Sequence, residues 1–213
     1  MLGHELSEVK RCIRKVDERF AQMGDAETGE ALRDVWEEFL HEFGRAVGKL
    51  IHLSKSCEKT KAFGHKLHQA SQKDDEGLVF LREARNVVEH GLVAFARFND
   101  AYVEIPGVGK FNGSGRISFQ GGFLNGRPMG NFAMNMAGGR IENLDGRPLV
   151  KIVESSSEVV LGPVTNPEKH KTIGIPASVF GKPIDPSKPD SLAREATTGL
   201  HRCFQDLTEI LNN

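Results

Sequence analysis

The chain is poor in the residues that would staple or anchor it. Its 213 residues include three cysteines, one tryptophan and one tyrosine. Cys12, Cys57 and Cys203 are odd in number, far apart and free of any CxxC spacing, so neither a disulfide framework nor a zinc site is indicated. No stretch approaches the roughly 18 apolar residues of a membrane span. The N-terminal MLGHELSEVKRC lacks the apolar run and cleavage site of a signal peptide, so the expectation is a cytoplasmic chain with no membrane contact. An excess of one charge is missing too: 28 Lys+Arg against 29 Asp+Glu leave a net charge of −1. Overall basicity therefore cannot drive the chain onto nucleic acid, which leaves only a local patch for that purpose. What remains, 38% hydrophobic and 27% charged, is globular material long enough for a core, as one domain or one domain with an insertion.

Glycine divides the sequence. Eleven of the 23 glycines fall between Gly107 and Gly146, and most prolines fall after Pro106. Before that point the pattern is helical. Leu6, Val9, Ile13, Val16 and Phe20 form one amphipathic stripe. A second runs from Leu32 through Trp36, Phe39, Leu40, Phe43 and Val47 to Ile51. The pattern weakens over residues 54–73, a short helix or an ordered loop. Asp74 and Asp75 then offer N-caps to a third strong helix with Leu78, Leu81, Ala84, Val88, Leu92 and Phe95 on its core side, ending near Phe98. From Tyr102 to Ile175 turn dipeptides (Asn112-Gly113, Asn125-Gly126, Asp145-Gly146) separate short β-prone runs, and NGRPM and DGRPL read as two similar turns. Prolines 183, 186 and 189 read as a linker, after which Asp190 or Ser191 caps a last helix striped with Leu192, Ala196, Leu200, Phe204, Leu207 and Leu211. The expected fold class is α+β: a helical bundle over residues 1–100, a β-rich, glycine-rich insertion over 101–182, and a linker with a C-terminal helix over 183–213 that packs back on the bundle.

One constellation carries chemistry. Arg85, Asn86, Glu89 and His90 make a contiguous polar wedge on the third helix, Arg85 and His90 lying about 140° apart around its axis. Arg85 with Glu89 and Asn86 with His90 are one-turn pairs. A permanent cation, an imidazole that titrates near neutrality and an amide able to orient it suit RNA cleavage by internal attack of a 2′-hydroxyl. His90 would move the proton, Arg85 would steady the phosphate charge, and neither metal nor cofactor is needed. The same residues also describe a helix face with a surface Arg–Glu ion pair and a half-buried histidine. Upstream, Lys49, Lys55, Lys59, Lys61, Lys66 and Lys73 face a single acid, Glu58, over residues 49–73. That segment either contacts RNA phosphates, with Lys55, Lys59, Lys61 and Lys66 the candidates, or balances the acidic Glu27–Glu42 run. Gly107-Val-Gly-Lys-Phe111 fails as a phosphate loop, because Glu104 stands where the first Walker glycine belongs and Phe follows the Lys; a β-turn fits better. His65 and His68 have no acidic or cysteine ligand close in sequence, which argues against a metal site.

Arg85-Asn-Val-Val-Glu-His90 resembles the Arg-x4-6-His motif of HEPN domains, and the run on to Gly91 is similar to a group of uncharacterised bacterial proteins with an "ARN…EHG" signature. The resemblance covers residues 1–100 and extends to the C-terminal helix, but not to the insertion. It implies a small helical bundle whose active members are metal-independent endoribonucleases, serving as toxins, defence effectors or RNA processors, in which the motifs of two copies meet in a dimer. Carried over by position, Arg85 and His90 are the catalytic pair and Asn86 a supporting residue; the polar wedge itself gives Glu89 the task of restraining Arg85. The partners so implied are RNA, a second copy of the chain, and a protein partner or inhibitor. The alternative is a non-catalytic HEPN-like binding or scaffold protein whose insertion recognises a protein or ligand.

Overall fold

A computed structural model describes residues 2–89, 96–166, 171–185 and 190–212. The chain is mixed helix and strand, compatible with the α+β class. Among the described residues four α-helices come first, α1 (Leu2–Asp25), α2 (Gly29–Ser56), α3 (Lys61–Gln69) and α4 (Glu76–Glu89). Twelve strands follow: β1 (Ala96–Asn99), β2 (Tyr102–Ile105), β3 (Gly109–Phe111), β4 (Gly115–Leu124), β5 (Arg127–Ala137), β6 (Arg140–Pro148), β7 (Val153–Ser155), β8 (Glu158–Leu161), β9 (Val164–Asn166), β10 (Lys171–Ile173), β11 (Ser178–Val179) and β12 (Lys182–Pro183). The last element is α5 (Ser191–Asn212). None of the described helices is long and apolar enough to cross a membrane. Contacts divide the chain into a helical unit (residues 1–25, 34–97 and 160–213) and a strand-rich unit (26–33 and 98–159).

In the helical unit α1 and α2 run antiparallel, because ion pairs join Lys15 to Glu42 (3.4 Å) and Arg19 to Glu38 (2.9 Å) in opposite sequence order. The two stripes supply the core: Val9, Ile13 and Val16 from α1, and Trp36, Phe39, Leu40, Phe43, Leu50 and Leu53 from α2, are all buried. Trp36, Phe39 and Phe43 stand one turn apart with successive ring centroids 5.8 Å apart. The weakly patterned segment resolves into a 3₁₀ turn (Glu58–Thr60), α3, and a π turn (Ala70–Asp74). α3 can lie on the end of α2 because Gly64 has no side chain; a Cβ there would sit 2.8 Å from the Ser54 Cβ. Asp75 caps α4, its Oδ1 accepting from the Leu78 N–H at 2.9 Å.

α4 is buried more widely than its stripe suggests. Residues 77–81, 83, 84 and 87 are all buried, since β9, β11 and α5 cover the side that α2 does not. Val87 rather than Val88 is therefore the core valine, at 1% exposure. The helix expected to end near Phe98 gives way earlier: Ala96–Asn99 is strand, and its burial alternates with the period of two that a strand imposes. Leu92 and Phe95 lie outside the described residues. The hairpins β9–β10 and β11–β12 belong by contact to the helical unit although the glycine-rich pattern groups them with the insertion. Pro183, read as linker, closes β12.

α5 packs on α1, with His201 Nε2 2.8 Å from Asp17 Oδ1. Its half-buried Cys203 thiol is pushed up from an ordinary 9.0 to about 11, chiefly by burial and then by the charge of Asp206. The thiolate fraction at neutral pH is thereby lowered about a hundredfold. Iodoacetamide should label Cys203 about a hundredfold more slowly in the folded protein than in urea, as read by peptide mass spectrometry. Because the folded value lies above the unfolded one, this thiol's contribution to stability is full below pH 9 and is lost as pH rises from 9.0 to about 11. Cys203→Ala should flatten that loss.

The strand-rich unit holds two three-stranded antiparallel sheets, ordered β3-β2-β7 and β4-β5-β6. They share a core of Val103, Ile105, Met129, Phe132, Met134 and Met136. Asn125-Gly126 is the expected two-residue hairpin turn, with φ of 51° and 77°. Asp145-Gly146 is not a turn: Gly146 lies inside β6 opposite Phe132, where a Cβ would collide with the Asn131 carbonyl. The β5–β6 turn is instead Gly138-Gly139, so NGRPM and DGRPL are alike in letters but not in structure. The Gly107–Gly109 segment is the β2–β3 turn, closed by Val108 N–H donating to the Ile105 carbonyl at 2.9 Å.

Candidate functional site

The polar edge of α4 begins at Arg82. This guanidinium is fully engaged: Nη1 donates to the Ser71 carbonyl (2.9 Å) and Gln72 Oε1 (2.6 Å), and Nη2 to Glu83 Oε1 (2.7 Å). It ties α4 to the π turn and neutralises Glu83, which is buried at 3% exposure. Asn86 leans the same way, its Nδ2 donating to Glu83 Oε2 at 3.4 Å.

Arg85 is placed differently. Its Nε lies 3.3 Å from Glu89 Oε1, one turn on. The geometry is that of an ion pair without a hydrogen bond, and Nε is buried with no hydrogen-bond partner among the described residues. The rest of the side chain crosses α2 at Gly44, where a Cβ would come within 2.5 Å of Nη1 and 2.9 Å of Cδ. A glycine inside a helix costs about 0.5–1 kcal/mol relative to alanine, so Gly44 exchanges helix stability for the approach of Arg85. The same carboxylate oxygen, Glu89 Oε1, also receives His41 Nδ1 of α2 at 3.3 Å. Glu89 thus bridges a permanent cation and an imidazole from two helices.

Beside Arg85 a cavity of about 270 Å³ opens between α2, α3, the π turn and α4. Its walls include Phe43, Val47 and Ile51 of α2 with Leu78 and Leu81 of α4, while Arg85, Arg82 and His68 supply charge or polarity. Gly44 and Gly48 line it from α2, and a Cβ at Gly48 would meet nothing within 4 Å.

The structure brings Arg85, Asn86 and Glu89 onto one edge, with only Arg85 and Glu89 paired. His90 lies outside the described residues. The four candidate lysines are not gathered at the cavity: Lys59, Lys61 and Lys66 are exposed on the 3₁₀ turn and α3, Lys55 is half-buried on α2, and Lys61 is taken up by Glu58 at 3.4 Å. His41, Arg82 and the cavity itself escaped the sequence reading. The signal for the last was present in Gly44 and Gly48, two glycines one turn apart beside the apolar stripe of α2. Comparison of the chain with family models, with curated proteins and with solved structures gives no match.

Proposed function

We propose that the helical unit is a HEPN-like bundle acting, as a dimer, as a metal-independent endoribonuclease. The observation that carries the reading is the Arg85 guanidinium, placed beside a cavity by Glu89 and Gly44 and making no hydrogen bond among the described residues. A guanidinium fixed in place by an ion pair and by packing is worth most where charge develops, here on the non-bridging oxygens of a phosphodiester attacked by its own 2′-hydroxyl. His90 would take the 2′-hydroxyl proton as the 2′-O–P bond forms. The 5′-O–P bond breaks, that oxygen takes a proton from water, and a 2′,3′-cyclic phosphate remains. Glu89 holds Arg85 in register, and the exposed lysines of α3 and the turn before it extend the contact along the backbone.

The test is incubation of the purified protein with a mixed RNA pool in EDTA, followed by analysis of the new 3′ ends. Cyclic-phosphate ends are the expected result. Intact RNA would move the reading to a non-catalytic binding protein. That alternative has its own support in the strand-rich unit, where Phe123 is 72% and Leu149 56% exposed near the Asn125-Gly126 end of the β4–β6 sheet.

A further inference from the structure

The two sheets of the strand-rich unit bring three segments together at one end. Gly107, in the β2–β3 turn, lies so near the β4–β5 hairpin that a Cβ on it would stand 3.1 Å from Leu124 Cδ1. Leu149, just past β6, is held at the same end by its N–H, which donates to the Met129 carbonyl at 2.8 Å. Each segment puts an apolar side chain into solvent: Val108 at 41% exposure, and Phe123 and Leu149 at more than half. Phe123 is there by alternation. Leu124 turns inward onto the core, so its neighbour turns outward, where a strand facing water ordinarily carries a polar residue. Single exposed apolar residues are ordinary, but three gathered on adjoining segments mark a contact surface.

The charge that accompanies them is of one sign. Residues 105–141 contain Lys110, Arg116, Arg127 and Arg140 and no aspartate or glutamate. Residues 146–153 add Arg147 and Lys151, again without an acid. Asp145, which stands between these runs on β6, is taken up by Arg116 at 3.3 Å. Arg127 follows the Asn125-Gly126 turn directly, and Arg147 and Lys151 stand two residues either side of Leu149; all three are exposed. A partner must therefore offer an apolar layer beneath a negative surface. The apolar groups project from segment ends instead of lining a groove, and a helical partner needs a groove to lie in. A bilayer accepts projecting side chains between its headgroups and meets the cations with anionic lipids.

We propose that this end of the strand-rich unit docks on an anionic lipid surface. Val108, Phe123 and Leu149 enter the headgroup layer while Arg127, Arg147 and Lys151 contact the anionic headgroups. The proposal stands independently of the ribonuclease reading. The expectation of no membrane contact drew on spans and leader segments, and an interfacial patch needs neither.

Co-sedimentation of the full chain with vesicles tests this, one set made of phosphatidylcholine alone and one of phosphatidylcholine with phosphatidylserine. The anionic set should be bound at least about tenfold more tightly, since each cation near such a surface strengthens binding about fivefold. Phe123→Ser combined with Leu149→Ser should weaken that binding about tenfold or more. Arg127→Glu combined with Arg147→Glu should weaken it about twentyfold or more. Lys10→Glu combined with Arg14→Glu, on α1, changes the net charge equally and should leave vesicle binding nearly as in the parent. Phe123→Trp adds an exposed indole to a chain whose own Trp36 is buried, and its emission should shift to the blue with the anionic vesicles alone. Equal binding to both vesicle sets, failure to bind either, or a serine pair that binds as the parent does overturns the proposal. Self-association that the serine pair dissolves would make the patch a contact between copies. Capture of a glutamate- and leucine-rich peptide through the same residues, with vesicles left unbound, would make it a peptide-docking surface. Either result removes the lipid.

Discussion

His90→Ala should slow RNA cleavage about 10²–10⁴-fold, the range that a positioned general acid or base supplies. Arg85→Ala should cost a comparable amount, about 10²–10³-fold, since it removes a fixed donor to the developing phosphate charge. The two losses should differ in kind. Without the imidazole the rate loses its dependence on pH near neutrality, whereas without the guanidinium that dependence persists at a lower rate. Arg85→Lys should rescue little, because a lysine offers a point charge where the site presents a planar fork lying across Gly44. Glu89→Gln provides an intermediate case: it keeps both proposed catalytic groups but removes the carboxylate that Arg85 and His41 share. Initial rates at equal folded concentration check all four variants. If His90→Ala and Arg85→Ala cut RNA as fast as the parent chain, the polar edge of α4 is a surface ion-pair face and the assignment falls.

How much of this was legible in the sequence depends on the range of the interaction concerned. The stripes of α1 and α2, the Asp75 cap and the Asn125-Gly126 turn are set by neighbours within a turn or two, and each is found where local pattern places it. The Arg85–Glu89 pair is of the same sort, four residues apart on one helix. The failures occur where a distant segment decides. Asp145-Gly146 has the letters of a turn, but pairing of β6 with β5 continues through it, and Gly146 serves a close crossing of the Asn131 carbonyl instead. The breadth of α4's buried face comes from β9, β11 and α5, none of which its own periodicity can reveal. The same limit hid His41, whose place beside Glu89 depends on how α2 passes α4. A cavity is the extreme case, because it is defined by atoms that are missing, and in α2 those atoms are missing at Gly48, while Arg85 takes the place of a side chain at Gly44.

Glycines in helices also give the sharpest stability test, since two of them should answer the same substitution with opposite signs. Gly77→Ala should destabilise the helical unit by about 1–3 kcal/mol, the usual cost of forcing an extra carbon into a filled site. A Cβ at Gly77 would stand 2.6 Å from the Ser178 carbonyl oxygen and would overlap the Val179 side chain, so relief requires β11 itself to move. β11 has little freedom to do so: Ala177 N–H is held by Glu76 Oε2 at 3.2 Å, and Phe180 in the next turn rests on Gly199 of α5. Gly48→Ala meets no such neighbour, so the better helix propensity of alanine should appear almost undiminished, as a gain of about 0.5–1 kcal/mol. Urea unfolding followed by tryptophan fluorescence is the measurement. Trp36 is the only tryptophan in the chain and is fully buried in the helical core, so its signal reports on that unit. The midpoint should fall for Gly77→Ala and rise for Gly48→Ala with the slope unchanged in both. A rise for Gly77→Ala would mean that α4 and β11 stand further apart than this packing has them, and the covered face of α4 that orients Arg85 would have to be redrawn.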